Sequence, residues 1–202
     1  DALRLVARRG ELMAESDPEG RGGMAAVMGL SPEQISEVIK AAAKGRSLEA
    51  ANFNCPGQIV ISGDKDAVAD AESFANDAGA TNFVTLQVSG PFHSSLMKPA
   101  AESFAADLAA ASFVEGHARV VSNVTASWHE QKQTVDLLKK QIYSSVRWED
   151  SIRFLVANGV DAFIEVGPGK VLRGLMRRID KSLVCQGSGD LESLEKILSQ
   201  GR

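Results

Sequence analysis

The stretch from Gly23 to Ser89 switches repeatedly between strand-like and helix-like hydrophobic patterns, and the order of those switches limits what the chain can fold into. "GMAAVMGL" (23–30) reads as a strand. "SPEQISEVIKAAAKG" (31–45) follows as a helix, with Ser31 as N-cap, Pro32 at the first helical position and a glycine stop. "LEAANFN" (48–54) and "QIVISG" (58–63) read as two strands. The Cys55-Pro56-Gly57 link between them is so short that the pair is expected to run antiparallel. "DKDAVADAESFANDAGA" (64–80) is a second helix and "TNFVTLQVS" (81–89) a further strand. The order β-α-β-β-α-β is the split βαβ, or ferredoxin-like, pattern. At about 65 residues it has the size of a small inserted domain.

The rest of the chain follows a different plan. Residues 1–16 form an amphipathic helix with Ala2, Leu5, Val6, Leu12 and Met13 on one face and Arg4, Arg8, Glu11 and Glu15 on the other. "SDPEGRGG" (16–23) breaks it. Helical patterns recur at 95–113, 134–146 and 148–160, and "ARVVSNVTA" (118–126) is a short strand and turn. "DAFIEVGPGKVLRGLMRRI" (161–179) reads strand, Gly-Pro-Gly turn, helix; 182–188 is a last strand and 191–200 a closing helix. Alternating strands and helices predict a parallel sheet covered on both faces. The fold class is therefore α/β, with residues 1–20 and 88–202 in the larger part and 21–87 in the smaller.

The totals exclude several function classes. A net charge of −4 gives no blanket attraction to nucleic acid or anionic membrane. No apolar run approaches the ~20 residues needed to span a bilayer. The two cysteines, Cys55 and Cys185, have no metal-like spacing, and a reducing, cytoplasmic setting is expected. The chain opens inside a helical pattern and without methionine. We therefore expect either that residues precede Asp1 or that this is a processed or excised piece.

Few residues carry chemical signals. Arg9 falls at the centre of the apolar face of the first helix. A buried guanidinium is costly unless paired, and its planar fork suits a carboxylate. The partner is either a ligand carboxylate or an acid elsewhere in the chain; alternatively the side chain snorkels outward. His93 is one of three histidines and sits at a strand-to-helix junction, in "VSGPFHSSLMKP" (88–99). It is either a general base or an ordinary loop histidine. His117 and His129 lie in polar surroundings and read as surface residues. The glycine turn in "EVGPGKVL" (165–172) enters a helix and could cradle an anion, without a full phosphate-loop fingerprint. Lys170, Arg173, Arg177 and Lys181 form a basic stripe, with Arg178 nearby; it is either a solvated face or a dock for an acidic partner. No Gly-x-Ser-x-Gly elbow occurs, and Ser94 and Ser95 are too close to His93 in sequence to serve it as nucleophile.

"LVARRGELM", "GGMAAVMGL", "NFNCPGQIVISG", "VSGPFHSSLMKPAAE", "SNVTA", "QIYSSVRWEDSIRFL" and "EVGPGKVLRGL" together resemble, in order and over nearly the whole chain, the bacterial malonyl-CoA:acyl carrier protein transacylases. The resemblance implies an α/β-hydrolase-like acyltransferase domain with an inserted ferredoxin-like subdomain. It implies malonyl-CoA and acyl carrier protein as partners; the basic stripe read above is the candidate docking face for the carrier, and no cofactor or metal is expected. It makes His93 the general base of a serine nucleophile and gives Arg9 the free malonyl carboxylate. The residue at Gln141 would orient His93 through its backbone carbonyl, in place of an aspartate. Phe92 resembles the malonyl-selective form of the motif, where forms accepting methylmalonyl tend to carry serine.

The family's serine elbow and its Gly-Gln-Gly oxyanion segment have no counterpart in these residues, and both would precede Asp1. The chain is thus expected to be the C-terminal two-thirds of such an enzyme and inactive and poorly stable alone. Two other readings remain: a non-catalytic module that docks carrier protein, and an acyltransferase domain of a multidomain synthase.

Overall fold

The computed structural model describes residues 1–200. The chain begins with α1 (Ala2–Glu15), then β1 (Gly22–Met28), α2 (Pro32–Ala43), β2 (Leu48–Cys55), β3 (Gln58–Asp64), α3 (Lys65–Asp77) and β4 (Asn82–Thr85). It continues with α4 (Lys98–Ala110), β5 (Val121–Ser122), β6 (Ser127–Trp128), α5 (Thr134–Lys140), β7 (Val146–Arg147) and α6 (Trp148–Ala157). β8 (Ala162–Val166), α7 (Val171–Ile179), β9 (Val184–Ser188) and α8 (Leu191–Gln200) complete it.

The first four strands lie in the order β4–β1–β3–β2, every neighbouring pair antiparallel. Cys55 pairs with Gln58 across the Pro56-Gly57 turn, where Gly57 takes φ +70°. α2 starts as the sequence predicts. Ser31 accepts from Gln34 N and the Gln34 side chain accepts from Ser31 N, a reciprocal cap worth about 1 kcal/mol.

The period-2 pattern of β1 sorts its side chains into two buried layers. Ala25 and Val27 pack with Ile59 and Ile61 under Ile35 and Val38 of α2 and Ala67, Val68 and Ala71 of α3. Met24 and Ala26 point the other way, to Ala51 and Val60, with Leu86 and Phe92 packed over them. That second layer fixes the segment carrying His93 against the sheet.

Beyond the first four strands, several expectations change. The small sheet is not confined to residues 21–87, because β7 joins it as a fifth strand, parallel to β2 through Asn52↔Val146 and Phe53↔Arg147. Residues 82–85 of the strand predicted over 81–89 pair with β1, and Leu86 N still donates to Met24 O at 2.9 Å; residues 87–89 leave the ladder to build the turn before His93. The strand expected at 118–126 is a two-residue hairpin arm, since Ser122 Oγ accepts from Val124 N and the chain turns back through Ala126 at φ +51°. The helix expected over 134–146 stops at Lys140. In place of a large parallel sheet covered on both faces, the parallel pairings among the described residues are the short β2–β7 contact and a separate two-stranded sheet, β8 with β9. One set of its side chains packs with Ile152, Met176 and Ile179. The other set is open, with Ile164 53 %, Val166 82 % and Val184 55 % exposed.

α1 packs on α4. Leu12 and Met13 enter a core with Met97, Ala101, Phe104, Leu108 and Ile142. The apolar face read from sequence is only partly covered: Leu5 is half-buried, whereas Val6 is 68 % exposed and Ala2 is exposed. Among the described residues no helix is long and apolar enough to cross a membrane.

Candidate active site

His93 sits on a tight turn whose geometry is imposed from several sides. Pro91 is buried against Gly22, where a Cβ would come within 2.3 Å of the proline ring, so only glycine fits. Ser94 is buried, and its hydroxyl donates to Pro91 O at 2.6 Å. His93 itself takes φ +60°, a left-handed conformation that costs a non-glycine residue roughly 1–2 kcal/mol. Its backbone N–H donates to Ile142 O.

The imidazole is held by main chain. Nδ1 lies 3.0 Å from Gln141 O and 3.1 Å from Ser144 O. Both neighbours are acceptors, so Nδ1 carries the hydrogen and donates it, leaving the Nε2 lone pair free. The early end of α5 makes this possible. A helix continued to 146 would tie the Gln141 carbonyl into its own ladder; the ending at Lys140 releases carbonyls towards the ring. The fit to Gln141 O was expected from the resemblance. The Ser144 carbonyl was not, because a main-chain acceptor leaves no mark on residue type.

Arg9 faces the same space. It lines a cavity of about 600 Å³ with His93 and Gln141, walled by Leu5, Phe104 and Leu108. Its Nε is buried without a hydrogen-bond partner, and no carboxylate among the described residues lies within ion-pair distance of it. The acids nearest in sequence and packing are spent on Arg8, which pairs with Glu11 at 3.1 Å and Asp107 at 3.6 Å. Among the described residues, Arg9 therefore has no structural ion pair. Burial pulls the guanidinium below its ordinary pKa. Burial, and next the Arg9 charge, pull His93 below the usual imidazole value, with the Gln141 and Ser144 carbonyls partly offsetting them. The result is a neutral base beside an unmatched cation in a largely apolar cleft, an arrangement suited to a substrate bearing one carboxylate.

The other candidates are placed as follows. Phe92 does not line the cavity; it packs between the α1–α4 core and the second layer of the sheet. The Gly-Pro-Gly turn is not an open anion cradle. The buried Glu165 fills it, accepting from Leu172 N at 2.9 Å and Arg173 N at 3.2 Å at the start of α7. Arg173 is drawn off the basic stripe towards Glu165, 3.4 Å away, which leaves Lys170, Arg177 and Lys181 exposed. His117 is exposed, but His129 is half-buried with Nε2 2.8 Å from Thr134 Oγ1, a structural contact. No serine hydroxyl among the described residues hydrogen-bonds to His93 Nε2. Nor, among them, do three or more His, Cys, Asp or Glu side chains gather where a metal would bind.

The chain matches known proteins in sequence and in fold. The acyl transferase domain model matches residues 1–188. The chain is 44% identical over 197 residues to the malonyl CoA-acyl carrier protein transacylase of Bacillus subtilis, covering 96% of this chain and 62% of that protein. It is 41% identical to the enzyme of the same name from Salmonella typhimurium, covering 99% of this chain and 65% of the relative. A solved transacylase from Clostridium perfringens superposes with TM-score 0.93 at 40% identity, over 98% of this chain and 63% of that one. A malonyl-transacylase solved in complex with a type II polyketide acyl-carrier protein superposes with TM-score 0.95 at 40% identity, over 98% of this chain and 65% of that one. The chain thus spans less than two thirds of the length of these relatives. The chain belongs to the acyl transferase domain family.

Proposed function

We propose that these residues form the base and carboxylate-binding half of an acyltransferase site that moves a malonyl group from coenzyme A to the phosphopantetheine thiol of acyl carrier protein. The observation that carries this reading is the unpaired Arg9 facing a carbonyl-anchored His93 across one cavity. The serine nucleophile belongs, in this reading, to the part of the relatives' length that the chain does not span, and the 202 residues alone are inactive. The β4–β1–β3–β2 sheet with α2 and α3 is the family's ferredoxin-like subdomain, and the remainder is part of its α/β-hydrolase-like one.

The reaction is ping-pong. His93 Nε2 takes the serine proton as Oγ attacks the thioester carbonyl carbon. Backbone N–H donors hold the tetrahedral oxyanion, at roughly 3 kcal/mol each in comparable sites. The C–S bond breaks, and coenzyme A departs as a thiol with the proton from His93. The malonyl-serine ester then meets the carrier thiol, which gives its proton to Nε2, attacks the ester carbonyl, and returns the serine with that proton. Arg9 pairs with the free carboxylate throughout. An acetyl group leaves the buried cation unmatched, which is the physical basis for selection. Lys170, Arg177 and Lys181 are the exposed cations available to the acidic carrier, and the cytoplasm is the setting.

The experiment is acyl-enzyme formation from radiolabelled malonyl-CoA in the full-length polypeptide carrying these residues. His93→Ala is expected to abolish labelling while the melting curve is retained. Undiminished labelling in that variant would remove the base assignment.

A further inference from the structure

The turn that carries His93 is gripped from a strand of the other subdomain. Glu49, half-buried on β2, reaches across to the residues just after His93. Its Oε1 accepts from Ser95 N at 2.9 Å and from Ser95 Oγ at 2.5 Å. Ser47 Oγ adds a contact to the same oxygen at 3.3 Å and lies 3.2 Å from Ser95 Oγ. Ser95 opens the 3-10 turn, Ser95–Met97, that leads directly into α4. The N–H groups at such a start have no partner within the helix, so a carboxylate there fixes both its position and its direction.

The next residue of β2 holds the opposite wall of the histidine cradle. Ala50 O accepts from Ser145 Oγ at 2.6 Å, one residue from the Ser144 carbonyl that meets Nδ1. Two consecutive positions of one strand therefore tie down both the turn that presents His93 and the segment that receives its ring. Nothing in the proposed reaction needs a carboxylate at 49, and no cation among the described residues forms an ion pair with it. Its two bonds to Ser95 oppose the left-handed strain at His93, two residues away.

We infer that Glu49 is a positioning residue for His93, its carboxylate holding the 93–95 turn in register with the Gln141 and Ser144 carbonyls. The catalytic consequence rests on the reading of His93 as the general base; the positioning itself does not. Glutamine at 49 keeps an acceptor oxygen in the same place, whereas aspartate keeps the charge but withdraws it by one methylene.

The test is 15N NMR of the His93 imidazole, with steady-state transfer kinetics, in the full-length protein and its Glu49→Gln, Glu49→Asp and Glu49→Ala variants. In the wild type and Glu49→Gln, the two ring nitrogens should show the separated shifts of one neutral tautomer. In Glu49→Asp and Glu49→Ala they should move together as tautomers average. Malonyl transfer should show kcat lower by about 10- to 100-fold in those two variants, with KM for malonyl-CoA within about twofold, and Glu49→Gln should restore it. Should Glu49→Ala not fold, Glu49→Asp carries the comparison. An unchanged tautomer and kcat in folded Glu49→Asp would overturn the inference. A shifted tautomer alongside full activity of His93→Ala would instead overturn the reading of the reaction and leave the hold of Glu49 on the ring standing.

Discussion

His93 Nδ1 stands 3.0 Å from the carbonyl oxygen of Gln141, and a second carbonyl, from Ser144, stands 3.1 Å away. A carboxylate in that position would stabilise an imidazolium strongly. Two neutral carbonyls orient the ring and fix its tautomer without contributing a full negative charge. With burial and the Arg9 charge acting in the opposite direction, the ring stays neutral at physiological pH and its Nε2 is ready to accept a proton.

The pH dependence follows from that balance. The folded-state pKa of His93 lies below its unfolded value, near 6.5, so in the window between them the unfolded chain binds more protons. The contribution of His93 to stability is therefore complete above about pH 6.5 and is lost as pH falls through the folded value. Urea melts of the full-length protein should show this loss, and His93→Gln should flatten it. The acid limb of kcat/KM should likewise fall below pH ~6.5. A limb on the alkaline side of that value would contradict the assigned environment.

Arg9 should cost stability for the sake of binding. Its unpaired, partly buried guanidinium can be replaced by an apolar side chain of similar length with no partner left stranded. Arg9→Met should raise Tm by roughly 2–4 °C, as a gain near 1 kcal/mol would in a protein of this size. A clear fall in Tm would mean that Arg9 has a structural partner.

The open apolar surfaces of the chain make a further prediction. Val6 and Leu3 on α1, and Ile164, Val166 and Val184 on the β8–β9 pair, are all more than half exposed. Unpaired strand edges and apolar patches of this kind drive self-association. The isolated 202 residues should scatter light on warming and bind a hydrophobic dye. A sharp, reversible melt without dye binding would contradict this.

The sequence was most informative where local chemistry decides structure. The cap at Ser31, the Pro56-Gly57 hairpin and the β-α-β-β-α-β order all follow from residue type and spacing, and all are present. Arg9 was conspicuous because a charge interrupts an apolar face, and His93 because of its place at a junction. The missing parts depend on tertiary contacts. No breaker residue announces the early end of α5; it accompanies the contacts of the Gln141 and Ser144 carbonyls with His93 and the pairing of β7 with β2. The capture of the Gly-Pro-Gly turn by Glu165, and the grip of Glu49 on Ser95, are long-range side-chain contacts to backbone that no periodicity reveals.

The most direct measurement compares single-turnover acyl-enzyme formation from malonyl-CoA and acetyl-CoA in the full-length protein and its Arg9→Ala variant. The account predicts a strong wild-type preference for malonyl. It predicts that Arg9→Ala cuts malonyl transfer by about 100-fold or more, the scale of a lost buried charge pair, and leaves acetyl transfer nearly unchanged. An equal fall for both substrates would contradict the claim that Arg9 receives the substrate carboxylate.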